Sequence, residues 1–273
     1  MPMIILLGFG LSAIIVLWAV QALALIAAGK SAVWVLPLRH GDDSEVVRWS
    51  LKLALQGVLL AIIFVYPLAI GKNPITYHLS WLGVPHWPIV IRVAALTVLV
   101  FAVQHVVVIS TGMVRLCGRY SLKKTAHKVV RSFLIPAPLA LVEETVFRGI
   151  LLRQLLESLP ATTWGIALAV VLSSVVFAGV HFLRPQKRTL LPALGLFGLG
   201  LMLGVAYVIS GQSCWLPIAI HAGGVWVIQV MRPFVTYRGP VILTGYSSYP
   251  MCGVLGMTAM LVLTALVVVT AGT

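Results

Sequence analysis

Acid is what this sequence lacks most. Only 6 of its 273 residues are Asp or Glu, against 19 Lys and Arg, and all charged residues together make up 9%. A water-soluble domain carries about 25% charged residues, so a soluble globular fold is excluded. Cysteine is nearly as scarce. Cys117, Cys214 and Cys252 stand far apart, partly inside apolar runs, with no CxxC or Cys/His metal spacing. That excludes a disulfide framework and a structural zinc site, and leaves three small buried hydrophobes. No basic stretch is interleaved with aromatics on a soluble domain, so the net charge of +13 does not point to nucleic acid. It points to cationic loops held on the cytoplasmic side of a membrane.

What is present is hydrocarbon. Hydrophobic residues make up 60% of the chain and its mean hydropathy is +1.07. Apolar runs repeatedly reach the length of about 20 residues that spans a bilayer. The expected fold is therefore all-α, a polytopic integral membrane protein with about eight transmembrane helices. The first run is Met3–Ala28, where Ala22-Leu23-Ala24 looks like a signal-peptidase site. No basic segment precedes it and the run is too long for a signal sequence, so it reads as a retained span. The second is Arg48–Ile70, ended by Pro67 and Gly71, and the third is Ile89–Ser110. Pro136 and Pro138 break any preceding helix. Proline favours a first turn, which starts the fourth span near Pro138 and runs it to about Ser158. Ala161–Phe182, Leu191–Ser210, Gln212–Met231 and Met251–Thr270 complete the set.

The connections carry the charge. Lys30–Lys52 holds Asp42, Asp43 and Glu45, read as ordinary solvated acids. Lys72–Pro88 is turn-rich, with Trp81 and Trp87 suited to the interfacial aromatic belt. Thr111–Arg131 carries six cations and no acid, alternating with apolar residues, as expected of a segment lying on an anionic leaflet. The loop Leu183–Thr189 is short and basic, and Arg232–Pro250 is tyrosine-rich. The loops after the odd-numbered spans hold every Lys and Arg except Lys72, Arg92, Arg148 and Arg153. The positive-inside rule places those loops in the cytoplasm and both termini outside, and an even number of spans agrees. Residues 1–130 form N-terminal spans and a basic interfacial segment, 131–232 a core, and 233–273 a last loop and span, within one membrane domain.

Against this background LVEETVFRGILLRQ, Leu141–Gln154, stands out. Glu143 and Glu144 lie where the composition says lipid. A charge at that depth costs roughly 2.5 kcal/mol or more and usually faces a cavity and does a job. Arg148, four positions after Glu144, suits an intrahelical ion pair; Glu143 has no such partner. His181 closes the fifth span, and His221 lies about ten residues before Arg232, about 15 Å from that face. The fourth, fifth and seventh spans can thus bring Glu143, His181 and His221 into one layer of the cytoplasmic half. Gln104 and His105 form a further polar pair, for which an interhelical hydrogen bond is the expected role. Gly200 and Gly204 form a GxxxG pair that lets helices pack closely.

A carboxylate with two histidines has two chemical readings. Glutamate is a general base for water, with one imidazole orienting that water and the other stabilising an oxyanion. Alternatively the three are zinc ligands. No HExxH is present, and the metal-free reading, with no cofactor, is preferred. A transporter is disfavoured because the polar groups cluster on one side and hydropathy shows no inverted repeat.

EETVFRG at Glu143–Gly149 fits an EExxxR motif, Phe177–His181 fits FxxxH, and His221 opens a third motif. In this the chain resembles the CPBP intramembrane proteases, which include type II CAAX prenyl endopeptidases and bacteriocin-processing or self-immunity (ABI) proteins. The likeness covers roughly residues 130–232. It implies intramembrane peptide-bond hydrolysis with Glu143 as base, His181 holding the water and His221 in the oxyanion hole. Glu144, Arg148 and Phe177 would support them. The implied partner is a membrane-associated peptide or protein, prenylated or carrying a leader, in the plasma (inner) membrane of a prokaryote. The family often has Asn or Asp four residues after the third-motif histidine, where this chain has Val225. His221 then serves alone, or another donor such as Gln229 replaces it. Val225 also leaves open a non-catalytic immunity or scaffold protein of the same fold.

Overall fold

The computed structural model describes residues 2–31, 45–83, 85–117, 122–134, 136–182, 190–247 and 249–272. The basic loop Leu183–Thr189 and the acids Asp42 and Asp43 lie outside them. A backbone in hydrocarbon must satisfy its own hydrogen bonds, so the apolar runs fold as helices. In chain order these are α1 (Pro2–Ala27), α2 (Glu45–Ala69), α3 (Pro74–Leu82) and α4 (Trp87–Ser110). After strand β1 (Val114–Leu116) come α5 (Leu122–Leu134) and α6 (Pro136–Glu144). A π-helical segment (Thr145–Leu152) then leads into α7 (Arg153–Ser158). α8 (Thr163–Phe182), α9 (Leu190–Ile209) and α10 (Trp215–Met231) precede strand β2 (Val235–Tyr237), the short α11 (Val241–Thr244) and the final α12 (Val254–Gly272).

Six helices among the described residues are long and apolar enough to cross a membrane: α1, α2 from Trp49, α4, α8, α9 and α12. The other two expected spans differ. α10 is apolar but only 17 residues long. The run carrying the paired acids is three helical pieces rather than one, and it begins at Pro136, two residues before the expected start. Leu53, Ile91, Val106, Val175 and Leu261 are more than half exposed, the outward apolar face that lipid requires.

Helix ends follow local chemistry. α1 and α2 close on Gly29 and Gly71 at φ +70° and +73°. Lys72 N–H donates to the Pro67 carbonyl at 2.8 Å and Gly71 N–H to Leu68 at 3.0 Å, the paired bonds of a glycine C-cap. Pro67 therefore lies in the last turn and does not end the helix. In the expected loop Lys72–Pro88, Asn73 Oδ1 accepts from Ile75 and Thr76 N–H at 2.9 and 3.3 Å. With Pro74 next, that is an N-cap, and it starts α3. The basic segment holds β1 and the two-faced α5, and β1 pairs antiparallel with β2 from the tyrosine-rich loop.

α10 is the central helix, packed against α4, α6 and α9. Gly223 and Gly224 let Thr97 and Phe101 of α4 close on it, at 3.3 Å from the position of a Cβ. α8 and α9 pack closely at the GxxxG pair. A Cβ on Gly200 would stand 2.9 Å from Ser174 Cβ and 3.0 Å from its Cα; one on Gly204 would stand 2.8 Å from Val170 Cγ1. Gly200→Ala is expected to lower stability by about 1–3 kcal/mol, the cost of overpacking. Gly57→Ala, with open space around it, will not. Thermal melts of the two variants in the same detergent check this.

Candidate active site

α6 ends on the two acids, and the π-helical turn begins directly after them. Arg153 N–H donates to the Arg148 carbonyl five residues back, the extra residue per turn that re-aims side chains and is frequent at functional sites. Gly149, a poor helix former, lies in this segment. Glu143 and Glu144 are 4% and 0% exposed and Arg148 is 0%. They face the bundle interior.

Arg148 Nη1 lies 3.0 and 3.2 Å from the two Glu144 oxygens, and its Nη2 donates to the Gly200 carbonyl at 3.1 Å. The guanidinium sits 4.6 Å above the Phe177 ring. Burying a charge is tolerable when it is paired and hydrogen-bonded in this way. The GxxxG contact thus has a second consequence, because it brings a carbonyl of α9 within reach of Arg148. Phe177 also packs edge-on against Phe147, centroids 5.1 Å apart, and underlies His181 at 4.4 Å.

His221 of α10 places Nδ1 2.6 Å from Glu144 Oε1. His181 of α8 places Nδ1 2.8 Å from the Phe177 carbonyl. A carbonyl and an arginine-paired carboxylate both accept, so Nδ1 carries the proton in each ring. The two Nε2 atoms then turn toward Glu143 Oε2, at 3.5 Å from His181 and 3.7 Å from His221. Three acceptor positions converge there. Such an arrangement suits a donor that can serve more than one of them, as water does. Both histidines are held by an outer partner that fixes tautomer and ring direction. Among the described residues no three His, Cys, Asp or Glu are gathered as ligands of a metal ion would be.

All six residues singled out in the sequence meet at this point. Other expectations change. His105 Nδ1 lies 2.7 Å from the Phe101 carbonyl of its own helix, so its hydrogen bond is intrahelical, not interhelical. Neither it nor Gln104 bonds to the cluster. Gln229 lies eight residues beyond His221, about 12 Å of helical rise, too far to replace a donor at Val225, and it makes no bond there. Two links were missed. The Glu144–His221 contact joins residues 77 apart, and the Cys214 thiol donates to the Glu144 carbonyl at 3.7 Å. No local spacing encodes either one. A preference for carboxylate beside a buried histidine was the available signal for the first.

Residues 125–227 match the family model described as type II CAAX prenyl endopeptidase Rce1-like. The matched stretch begins in α5, ends in α10 and contains every member of the cluster. No curated protein and no solved structure matches the chain.

Proposed function

From the Rce1-like segment, of the type II CAAX prenyl endopeptidase family, at residues 125–227, we propose that this multi-pass membrane protein is a glutamate-type intramembrane endopeptidase. The observation that carries the reading is the convergence of two imidazole Nε2 atoms on Glu143 Oε2, at 3.5 and 3.7 Å, from three separate helical elements. Water held by this group gives a proton to Glu143 as its oxygen attacks the scissile carbonyl carbon. His181 orients that water. For this step His221 takes a second proton from solvent onto Nε2 and donates it in a hydrogen bond to the tetrahedral oxygen, while Glu144 stands opposite the ring's charge. Glu143 then passes its proton to the leaving nitrogen, the C–N bond breaks, and acid and amine separate. Arg148 and Phe177 hold Glu144 and the rings in place.

The substrate in this reading is a membrane-associated peptide or protein, prenylated or bearing a leader, cut in the cytoplasmic half of the bilayer. The distribution of Lys and Arg supports that side, and with it both termini non-cytoplasmic in a prokaryotic inner membrane. The test is incubation of the purified chain with farnesylated and unmodified C-terminal peptides in ¹⁸O-water. One ¹⁸O in the new carboxyl of a cleaved peptide is the expected result. Cleavage that is lost with a chelator and restored by stoichiometric zinc would instead make the three residues ligands. Val225 favours one other reading, a non-catalytic immunity or scaffold protein using the same cavity. Under it, Glu143→Gln would preserve the cellular phenotype.

A further inference from the structure

Where α4 and α10 end, their continuations pair as β1 and β2, with Val114 opposite Tyr237, Arg115 opposite Thr236 and Leu116 opposite Val235. Side chains on a strand alternate between faces. Val114 and Val235 point inward, 1% and 8% exposed, against Val108. Arg115 and Thr236 therefore point outward. Arg238, whose N–H donates to the Met113 carbonyl at 2.9 Å, continues the outward row. It stands diagonal to Arg115, a separation of about 7–8 Å across an antiparallel pair. Both arginines are exposed. They line one open cleft of about 510 Å³ whose remaining wall is Ile109, Gly112, Val114 and Leu116.

Two features of this cleft are unusual together. Among the described residues neither guanidinium has an acidic partner, so two positive charges face the same space uncompensated. Leu116, opposite Val235 on the ribbon's other face, is nevertheless 57% exposed and reaches the same cleft at its edge, an apolar surface at the point where a spanning helix leaves the hydrocarbon. A soluble anion has no use for that wall. A molecule with a phosphate head and a hydrocarbon body fits both parts. Guanidinium geometry suits phosphate oxygens, and basic pockets at the ends of spanning helices hold acidic headgroups.

We propose that this cleft binds the phosphate of an anionic phospholipid, with its acyl chains lying along Ile109 and Leu116. The site is separate from the Glu143 cluster and does not depend on the protease reading. Held by the ribbon that ties α4 to α10, the lipid clamps the ends of two packed helices, one of which carries His221.

Native mass spectrometry of the full chain, titrated with phosphatidylglycerol in detergent, tests this. Each arginine near an anionic surface contributes about 1 kcal/mol, or about fivefold in affinity. Arg115→Gln with Arg238→Gln should weaken phosphatidylglycerol binding about thirtyfold. Arg232→Gln, an exposed cation outside the cleft, should leave it unchanged. Inorganic phosphate should not displace the lipid. Equal affinity in the wild type and the double variant overturns the proposal. So does displacement by inorganic phosphate alone, which would make this a soluble-anion site. If the double variant does not stay monodisperse, Arg238→Gln alone decides it, with a fivefold loss supporting the site and an unchanged affinity removing it.

Discussion

On the endopeptidase reading, Glu143→Gln will leave a folded protein that no longer cleaves peptide. The amide keeps the volume and offers an N–H to the acceptor nitrogens of the two imidazoles, so packing in the cluster survives. What it loses is the ability to take a proton from water as the carbon–oxygen bond forms. A positioned general base contributes typically 10²–10⁴-fold in rate, and the fall is expected at the upper end. Glu144 cannot substitute, because it is already held by Arg148 and by His221 at 2.6 Å. The measurement is initial rate on a peptide that wild type cuts, with thermal unfolding of both proteins alongside. Turnover within tenfold of wild type, from a variant of unchanged melting temperature, would remove Glu143 from the role of base.

The second large effect is on stability. Arg148→Ala will destabilise the fold by about 3–5 kcal/mol, the cost of leaving one partner of a buried ion pair alone. Glu144, with no exposed surface, would be left buried without its cation. His221 would then be its remaining partner. Arg148→Met with Glu144→Gln removes both charges at similar volume. It should regain much of the lost stability while leaving activity low, since the neutral amide at position 144 no longer carries the negative charge that stands 2.6 Å from the His221 ring. A double-mutant cycle in chemical or thermal unfolding gives the coupling energy. Additive losses from the two single changes would mean that the pair contributes little.

How far the sequence carried this site depends on distance along the chain. The Glu144–Arg148 pair lies within one helical turn and was legible from spacing alone. The proximity of Glu143, His181 and His221 was expected from counting residues inward from basic loops, with charge taken as the guide to the face each span starts from. Hydropathy likewise found every apolar run. It could not separate α10, at 17 residues, from a full span, nor see that Thr145–Leu152 winds as π-helix, since the same side chains suit both windings. α3 was hidden because Pro74, Pro85 and Pro88 read as breakers, although Asn-Pro also begins helices. The β1–β2 pairing joins three-residue strands more than a hundred positions apart, and no period of two can be read from three residues. The arrangement around Gly200 was half visible: its smallness announced a close approach, while the use of its carbonyl by Arg148 needed the neighbouring helix in place.

The shortness of α10 bears on how the proposed hydrolysis would obtain water in lipid. Seventeen residues rise about 25 Å, less than the hydrocarbon thickness of about 30 Å. A bilayer accommodates an undersized helix by thinning around it. His221 sits on that helix, so the aqueous boundary would be drawn toward the very ring that faces Glu143, and solvent could reach the carboxylate by a shallow dip in the membrane surface instead of a dedicated channel.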